Sequence, residues 1–239
     1  MTTWLVQFHP DIRRIMSYAT RHGIADGGDP GYAVHALLTA AFADRAPKPF
    51  RLFDDGRGLL AYSSRSPEEL RDAASLALPD VAAALGTDEL GARAMPAQWE
   101  PGRCFDFELK VRPVRRHRDG PERDVMTVAI ERADVLGLPR PDREGAYLDW
   151  LAEQFRATGG VELLSARLVG YRSTRVHRKT QAADSGSRRI QRFDGPDALI
   201  QGALRVLDAS GPGRLIERGI GRHRAFGYGM LLLRPSLAC

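Results

Sequence analysis

Gly219-Ile220-Gly221-Arg222-His223-Arg224-Ala225-Phe226-Gly227-Tyr228-Gly229 runs directly into Met230-Leu231-Leu232-Leu233. Glycine lets a backbone approach a neighbour closely and take positive φ. Arginine and histidine beside it suit a phosphate. The segment after the glycines is short, apolar and ends at Pro235, so it reads as a strand. A dinucleotide loop would open a helix instead, and the G-x-x-x-x-G-K-[ST] pattern of a P-loop is absent. The stretch fits a backbone that touches nucleic acid. From composition alone it fits a glycine-rich turn before a last core strand equally well.

Working outward, the charge is uneven. Residues 1–99 carry a net −2 and residues 100–239 a net +7, which together give the formal +5. Within Leu164–Arg192 there are 8 basic residues against 1 acidic. A basic stripe is the footprint of a polyanion binder. The 239 residues are 43% hydrophobic, which allows one large domain or two small ones. No apolar run reaches the ~18 residues of a membrane span, and the first ten residues lack a signal-peptide pattern. No membrane partner is therefore expected. Cys104 and Cys239 define neither a metal spacing nor a disulfide framework, and the expected location is a reducing cytoplasm. The six histidines form no H-x-x-x-H and there is no C-x-x-C. No metal site and no cofactor are expected.

Trp4–Phe8 predicts a first strand, and a short helix is expected around Ile12–Ala19. Asp29-Pro30 predicts a helix start, Asp as N-cap and Pro at the first helical position. That helix runs to about Asp44, with Val34, Leu37, Leu38, Ala41 and Phe42 as its apolar stripe. Arg51–Phe53 and Leu59–Tyr62 flank Asp54-Asp55-Gly56-Arg57-Gly58, a hairpin signal. Ser66-Pro67-Glu68-Glu69 opens another helix to about Leu76, and a strand is expected near Ala92–Gln98. The order is β-α-β-β-α-β. In the second half, Cys104–Val111 reads as a strand and Arg115–Asp124 as a charged loop. Pro141-Asp142 starts a helix with Tyr147, Leu148, Leu151 and Phe155 inward. Val161–Tyr171 and Asp197–Leu207 read as strands, with Asp184–Ser187 a loop tip between arginine-rich arms. Pro212–Arg218 predicts a short helix. The same order recurs, so the expected fold class is α+β, two ferredoxin-like (RRM-like) β-α-β-β-α-β domains in tandem over 1–99 and 100–239.

With these residues in place the chain resembles the CRISPR-associated precursor-RNA endoribonucleases of the CasE kind, in the Cas-six superfamily. The resemblance rests on Gly219–Leu232, on Gly202–Asp208 as the strand before it, and on Arg143–Leu151 as the helix opening the second half. It rests also on Tyr32-Ala33-Val34-His35-Ala36-Leu37-Leu38, where that family carries a Tyr-x-x-His helix. The chain departs from the family pattern at Arg224, where lysine is frequent, and near Ala40, where tryptophan is usual. The segment between the first strand and the Tyr-x-x-His helix is also longer. The resemblance implies an enzyme that binds the stem-loop of a CRISPR repeat and cuts at its 3′ base without a metal. The 2′-hydroxyl attacks the adjacent phosphate, leaving a 2′,3′-cyclic phosphate and a 5′-hydroxyl. It further implies that the guide RNA stays bound and that other Cascade subunits are partners. A catalytically inactive guide-binding subunit of the same fold is the alternative.

That chemistry needs proton transfer near neutral pH, for which histidine is suited. His35 lies at the edge of the apolar stripe, with Tyr32 one turn before it on the same face. His35 is the expected proton-transfer residue, and Tyr32 the one that orients the hydroxyl or phosphate. His223 fits a second acid–base group or a phosphate ligand. The candidates for gripping an RNA stem, where shape and phosphates dominate recognition, are Arg172, Arg175, Arg178, Lys179, Arg188, Arg189 and Arg192. Arg115, Arg116 and Arg118 extend this track, and Arg222, His223 and Arg224 supply the glycine-loop end, beside Gly219, Gly221, Gly227 and Gly229.

Overall fold

The computed structural model describes residues 2–24, 30–116, 120–181 and 188–236, the side chains of 175–193 excepted. The chain forms two compact units. One holds Met1–Met95, Ser173–Gly195 and Ala225–Gly227; the other holds Pro96–Arg172, Pro196–Arg224 and Tyr228–Cys239.

The first unit contains β1 (Trp4–Phe8), α1 (Ile12–Arg21), α2 (Gly31–Phe42), β2 (Phe50–Leu52), β3 (Leu59–Ser63), α3 (Pro67–Ser75), α4 (Pro79–Leu85) and β4 (Gly91–Ala94). Local signals set these boundaries. Asp11 caps α1 by accepting from the amides of Arg13 and Arg14. Ser66 and Glu69 form a reciprocal capping box at α3, with Pro67 in its first turn. The α2 stripe Val34, Leu37, Leu38, Ala41 and Phe42 is buried, as its spacing predicts, against Phe8, Phe50 and Leu59 of the core. Complete burial of a side chain of this kind contributes about 1.5–3 kcal/mol. Asp29, the expected cap of α2, lies outside the described residues. The helix proper begins at Gly31, one residue after the expected Pro30. The α4 helix was not foreseen in the sequence.

The second unit contains β5 (Cys104–Val111), β6 (Val114–Arg116), β7 (Glu122–Asp124), α5 (Val125–Leu136), α6 (Arg143–Thr158), α7 (Gly211–Arg218) and β10 (Leu231–Pro235). It also holds the outer parts of two long strands, β8 (Val161–Gln181) and β9 (Arg188–Val206). In β5 the alternating Phe105, Phe107, Leu109 and Val111 are buried, the period of two expected of a one-sided sheet. Asp142 caps α6, and Gly159 at φ 72° ends it. Tyr147, Leu151 and Phe155 are buried as expected. Trp150 is buried too, while Leu148 is only half-buried. The segment Arg115–Asp124 differs from its expectation. It is not a plain charged loop but holds the short antiparallel pair β6–β7, with residues 117–119 outside the description.

The first sheet runs β2-β3-β1-β4 and the second β10-β5-β9-β8. Counting β5, β8, β9 and β10 as first to fourth, both have the order 4-1-3-2. Each unit thus carries the ferredoxin-like arrangement, the second with β6, β7 and α5 inserted after its first strand. Cys104 is buried and disulfide-bonded, a bridge that did not follow from the two cysteines in the sequence; Cys239 lies outside the described residues. No helix among the described residues is long and apolar enough to cross a membrane.

Candidate functional site

In the first unit, α2 presents Tyr32 and His35 from the rim of its buried stripe, both half-buried. Their ring centroids are 6.2 Å apart. Phe226 sits against both, 5.7 Å from Tyr32 and 5.3 Å from His35, meeting the imidazole edge-on at 77°. Burial, and then the nearby Lys48 ammonium, disfavour the imidazolium and lower the His35 pKa below its ordinary 6.5. His35 is therefore neutral at neutral pH and able to accept a proton. The expected pairing of Tyr32 and His35 on one helix face is present in the structure.

In the second unit, the backbone after α7 closes on itself. The Ile220 amide donates to the Gly229 carbonyl at 2.9 Å, and the Gly229 amide to the Lys110 carbonyl at 2.8 Å. Gly219, Gly221, Gly227 and Gly229 all have positive φ. A Cβ at Gly221 would come within 2.9 Å of the Trp150 ring, and one at Gly229 within 2.4 Å of the Ile220 carbonyl oxygen. These two glycines serve the close packing of the loop on its own unit. His223 also has positive φ, 60°, which is uncommon for a residue with a side chain.

Two basic side chains of this loop converge on one carboxylate. Arg222 Nε lies 2.5 Å from Glu122 Oε1, and His223 Nε2 2.5 Å from Glu122 Oε2. Burial pushes the Glu122 carboxyl up, but the hydrogen bonds and charges of His223 and Arg222 outweigh it and bring the pKa to about 2. Glu122 opens β7 and lies directly opposite Arg116 of β6, so the two side chains share a face of the pair. On the other face, Arg115 lies opposite Arg123. Arg115 pairs with Glu153 of α6 and Arg123 with Glu131 of α5. Arg224 donates to the Arg218 carbonyl, at the C-terminal end of α7 where a cation is favoured.

Arg172 belongs to a different cluster. It lies 3.4 Å from Asp197, a buried carboxylate that also meets Arg112 at 3.2 Å, Lys110 at 3.9 Å and the Tyr228 hydroxyl at 2.7 Å. The side chains of Arg175, Arg178, Lys179, Arg188, Arg189 and Arg192 lie outside the described residues. Sequence reasoning missed Lys48, Phe226 and Glu122. None carries a local signal, because each is brought to its partner from a distant part of the chain. Among the described residues no group of three or more His, Cys, Asp or Glu is placed to hold a metal.

A model of the family described as CRISPR associated protein matches residues 3–235. No curated protein matches the chain. Several solved structures share its fold. A CRISPR endoribonuclease, Cse3, bound to a 19-nucleotide RNA is 17% identical, with a TM-score of 0.64 over 98% of this chain and 100% of that one. Cse3 of Thermus thermophilus, bound to an RNA representing a pre-cleavage complex, is 17% identical with a TM-score of 0.61 over the same shares. A chain of a CRISPR RNA-guided surveillance complex is 18% identical with a TM-score of 0.57, covering 98% of this chain and 100% of that one. These likenesses, at such low identity, are of fold. The family match spans nearly the whole sequence, and the chain belongs to the CRISPR-associated protein family.

Proposed function

We propose that this chain is a metal-independent endoribonuclease that binds the stem-loop of a CRISPR repeat and cuts the precursor RNA at the 3′ base of the stem. The observation that carries the reading is the neutral, half-buried imidazole of His35, set beside Tyr32 and Phe226 at the rim of α2. The fold shared with RNA-bound Cse3 supports it. His35 takes the proton of the attacking 2′-hydroxyl as the new O2′–P bond forms. The P–O5′ bond breaks, the 5′-oxygen gains a proton, and the products are a 2′,3′-cyclic phosphate and a 5′-hydroxyl. Tyr32 orients the hydroxyl or the phosphate. Lys48, whose charge acts on His35, favours the extra negative charge of the phosphorane. Residues 1–99 carry this chemistry. Residues 100–239, with the basic strand arms and the glycine loop, grip the stem. The guide remains bound and enters a multi-subunit surveillance complex, a reading supported by the fold shared with a chain of one.

The test is cleavage of the host's own repeat RNA in EDTA, beside the same RNA with a 2′-deoxy nucleotide at the cut site. Cutting in EDTA that disappears with the deoxy substrate is expected. Cutting of the deoxy substrate would overturn the 2′-hydroxyl mechanism. Tight binding without cutting would make the chain a guide-holding subunit.

A further inference from the structure

We infer that Glu122 is a positioning residue: it holds Arg222, with Arg116 beside it, as a prearranged fork for one RNA phosphate. The inference rests on the RNA-binding reading above. A guanidinium has five N–H donors in a fixed plane. Glu122 engages Arg222 through Nε, and the two terminal nitrogens of Arg222 donate no hydrogen bond to any described residue. Exposure follows the same direction. The Glu122 and His223 side chains are 14% and 10% exposed, while Arg222 is 45% exposed. The carboxylate and imidazole form the buried end of the cluster, and Arg222 is its exposed end. The terminal nitrogens of a guanidinium meet a phosphate with two parallel hydrogen bonds.

The strand beneath Glu122 is anchored by hydrogen bonds. At the other end of β7, Asp124 accepts from the Tyr147 hydroxyl at 3.0 Å to each oxygen and from Arg143 at 3.3 Å. Asp124 also caps α5 through the Met126 amide. Above Glu122, His223 keeps its positive φ of 60°, a conformation that persists only where surrounding contacts enforce it. Glu122 is such a contact. Arg116, opposite Glu122 in the β pair, is exposed and has no ion-pair partner among the described residues. Arg116 and Arg222 bring two positive charges to the single negative charge of Glu122. The opposite face of the pair offers no such fork, because Arg115 and Arg123 are each matched to a glutamate. A prearranged arginine loses less side-chain freedom on binding than a free one.

The test turns on sign. If Glu122 acted only as a charge, Glu122→Gln would remove repulsion, tighten RNA binding and steepen its salt dependence. If it positions Arg222, the same variant binds repeat RNA about three- to tenfold more weakly. Its slope of log K against log salt then becomes shallower by ~0.7–0.9, the equivalent of one phosphate no longer neutralised. Arg222→Lys, which keeps the charge and loses the fork at an exposed site, is expected to weaken binding with the salt slope retained, and Glu122→Gln is expected to add nothing further in an Arg222→Ala chain. Binding by Glu122→Gln as tight as or tighter than wild type, or wild-type affinity in Arg222→Lys, overturns the inference while leaving the RNA-binding reading intact. A wild-type chain that does not bind the repeat overturns both.

Discussion

Whether an imidazole can act as a base depends on its surroundings. Burial and Lys48 lower the His35 pKa below 6.5, so the base form prevails at neutral pH. The acid limb of the cleavage profile is expected below pH 6.5, and His35→Ala is expected to lose at least ~10²-fold in single-turnover cleavage with repeat-RNA affinity retained. Near wild-type cutting by that variant would remove His35 from the mechanism. The same shift bears on stability. The unfolded imidazole takes a proton at higher pH than the folded one, so the contribution is whole above about 6.5 and is lost as pH falls through the folded pKa. Melting of His35→Gln should therefore vary less with pH across that window. Tyr32 and His35 were legible in the sequence because helical spacing alone places them together. Lys48, Phe226 and Glu122 were not, because their partners lie on other elements and no local periodicity joins them.

Among the elements, Asp197 of β9 has the widest reach. It meets Arg172 of β8, Lys110 of β5, Arg112 just beyond β5, and Tyr228 shortly before β10. One buried carboxylate thus ties β5 and β8 to β9 and reaches the segment before β10. Removing it deprives Arg112, itself 1% exposed, of a carboxylate 3.2 Å away. Asp197→Ala is expected to cost about 3–5 kcal/mol, read from denaturant unfolding at neutral pH. A change under ~1 kcal/mol, the worth of an exposed pair, would show that the cluster is better solvated than its burial indicates. The elements that sequence reading recovered are those with caps or strict alternation: Ser66–Glu69 at α3, Asp142 at α6, and Phe105, Phe107 and Leu109 in β5. Those it missed lack an apolar pattern, although Asp124 caps α5 and Gly86 ends α4. Helix α5 buries only Val125 and Ala133, too few for a stripe. Strands β6 and β7 are three residues each, and their charges read as loop until the glutamates of α5 and α6 are placed beside them.

For the whole molecule, the net charge overstates the positive surface available to a polyanion. Arg115, Arg123, Arg140, Arg205, Arg214 and Arg234 each pair with a carboxylate in the second unit. The basic arms of 164–192 then become decisive. Neutralising Arg188, Arg189 and Arg192 together is expected to weaken repeat-RNA binding and to make the salt slope shallower by up to ~2–3, about 0.7–0.9 for each phosphate left unneutralised. An unchanged slope would exclude a phosphate-binding role for that segment. The division of the chain into interleaved units also has a consequence in time. A ribosome has delivered every strand of the first sheet once Ala94 has emerged, yet the ring that packs on Tyr32 and His35 belongs to Phe226, close to the last residues made. Throughout most of its synthesis the nascent chain lacks that ring, and a message cut short before Phe226 yields a histidine that never acquires its setting.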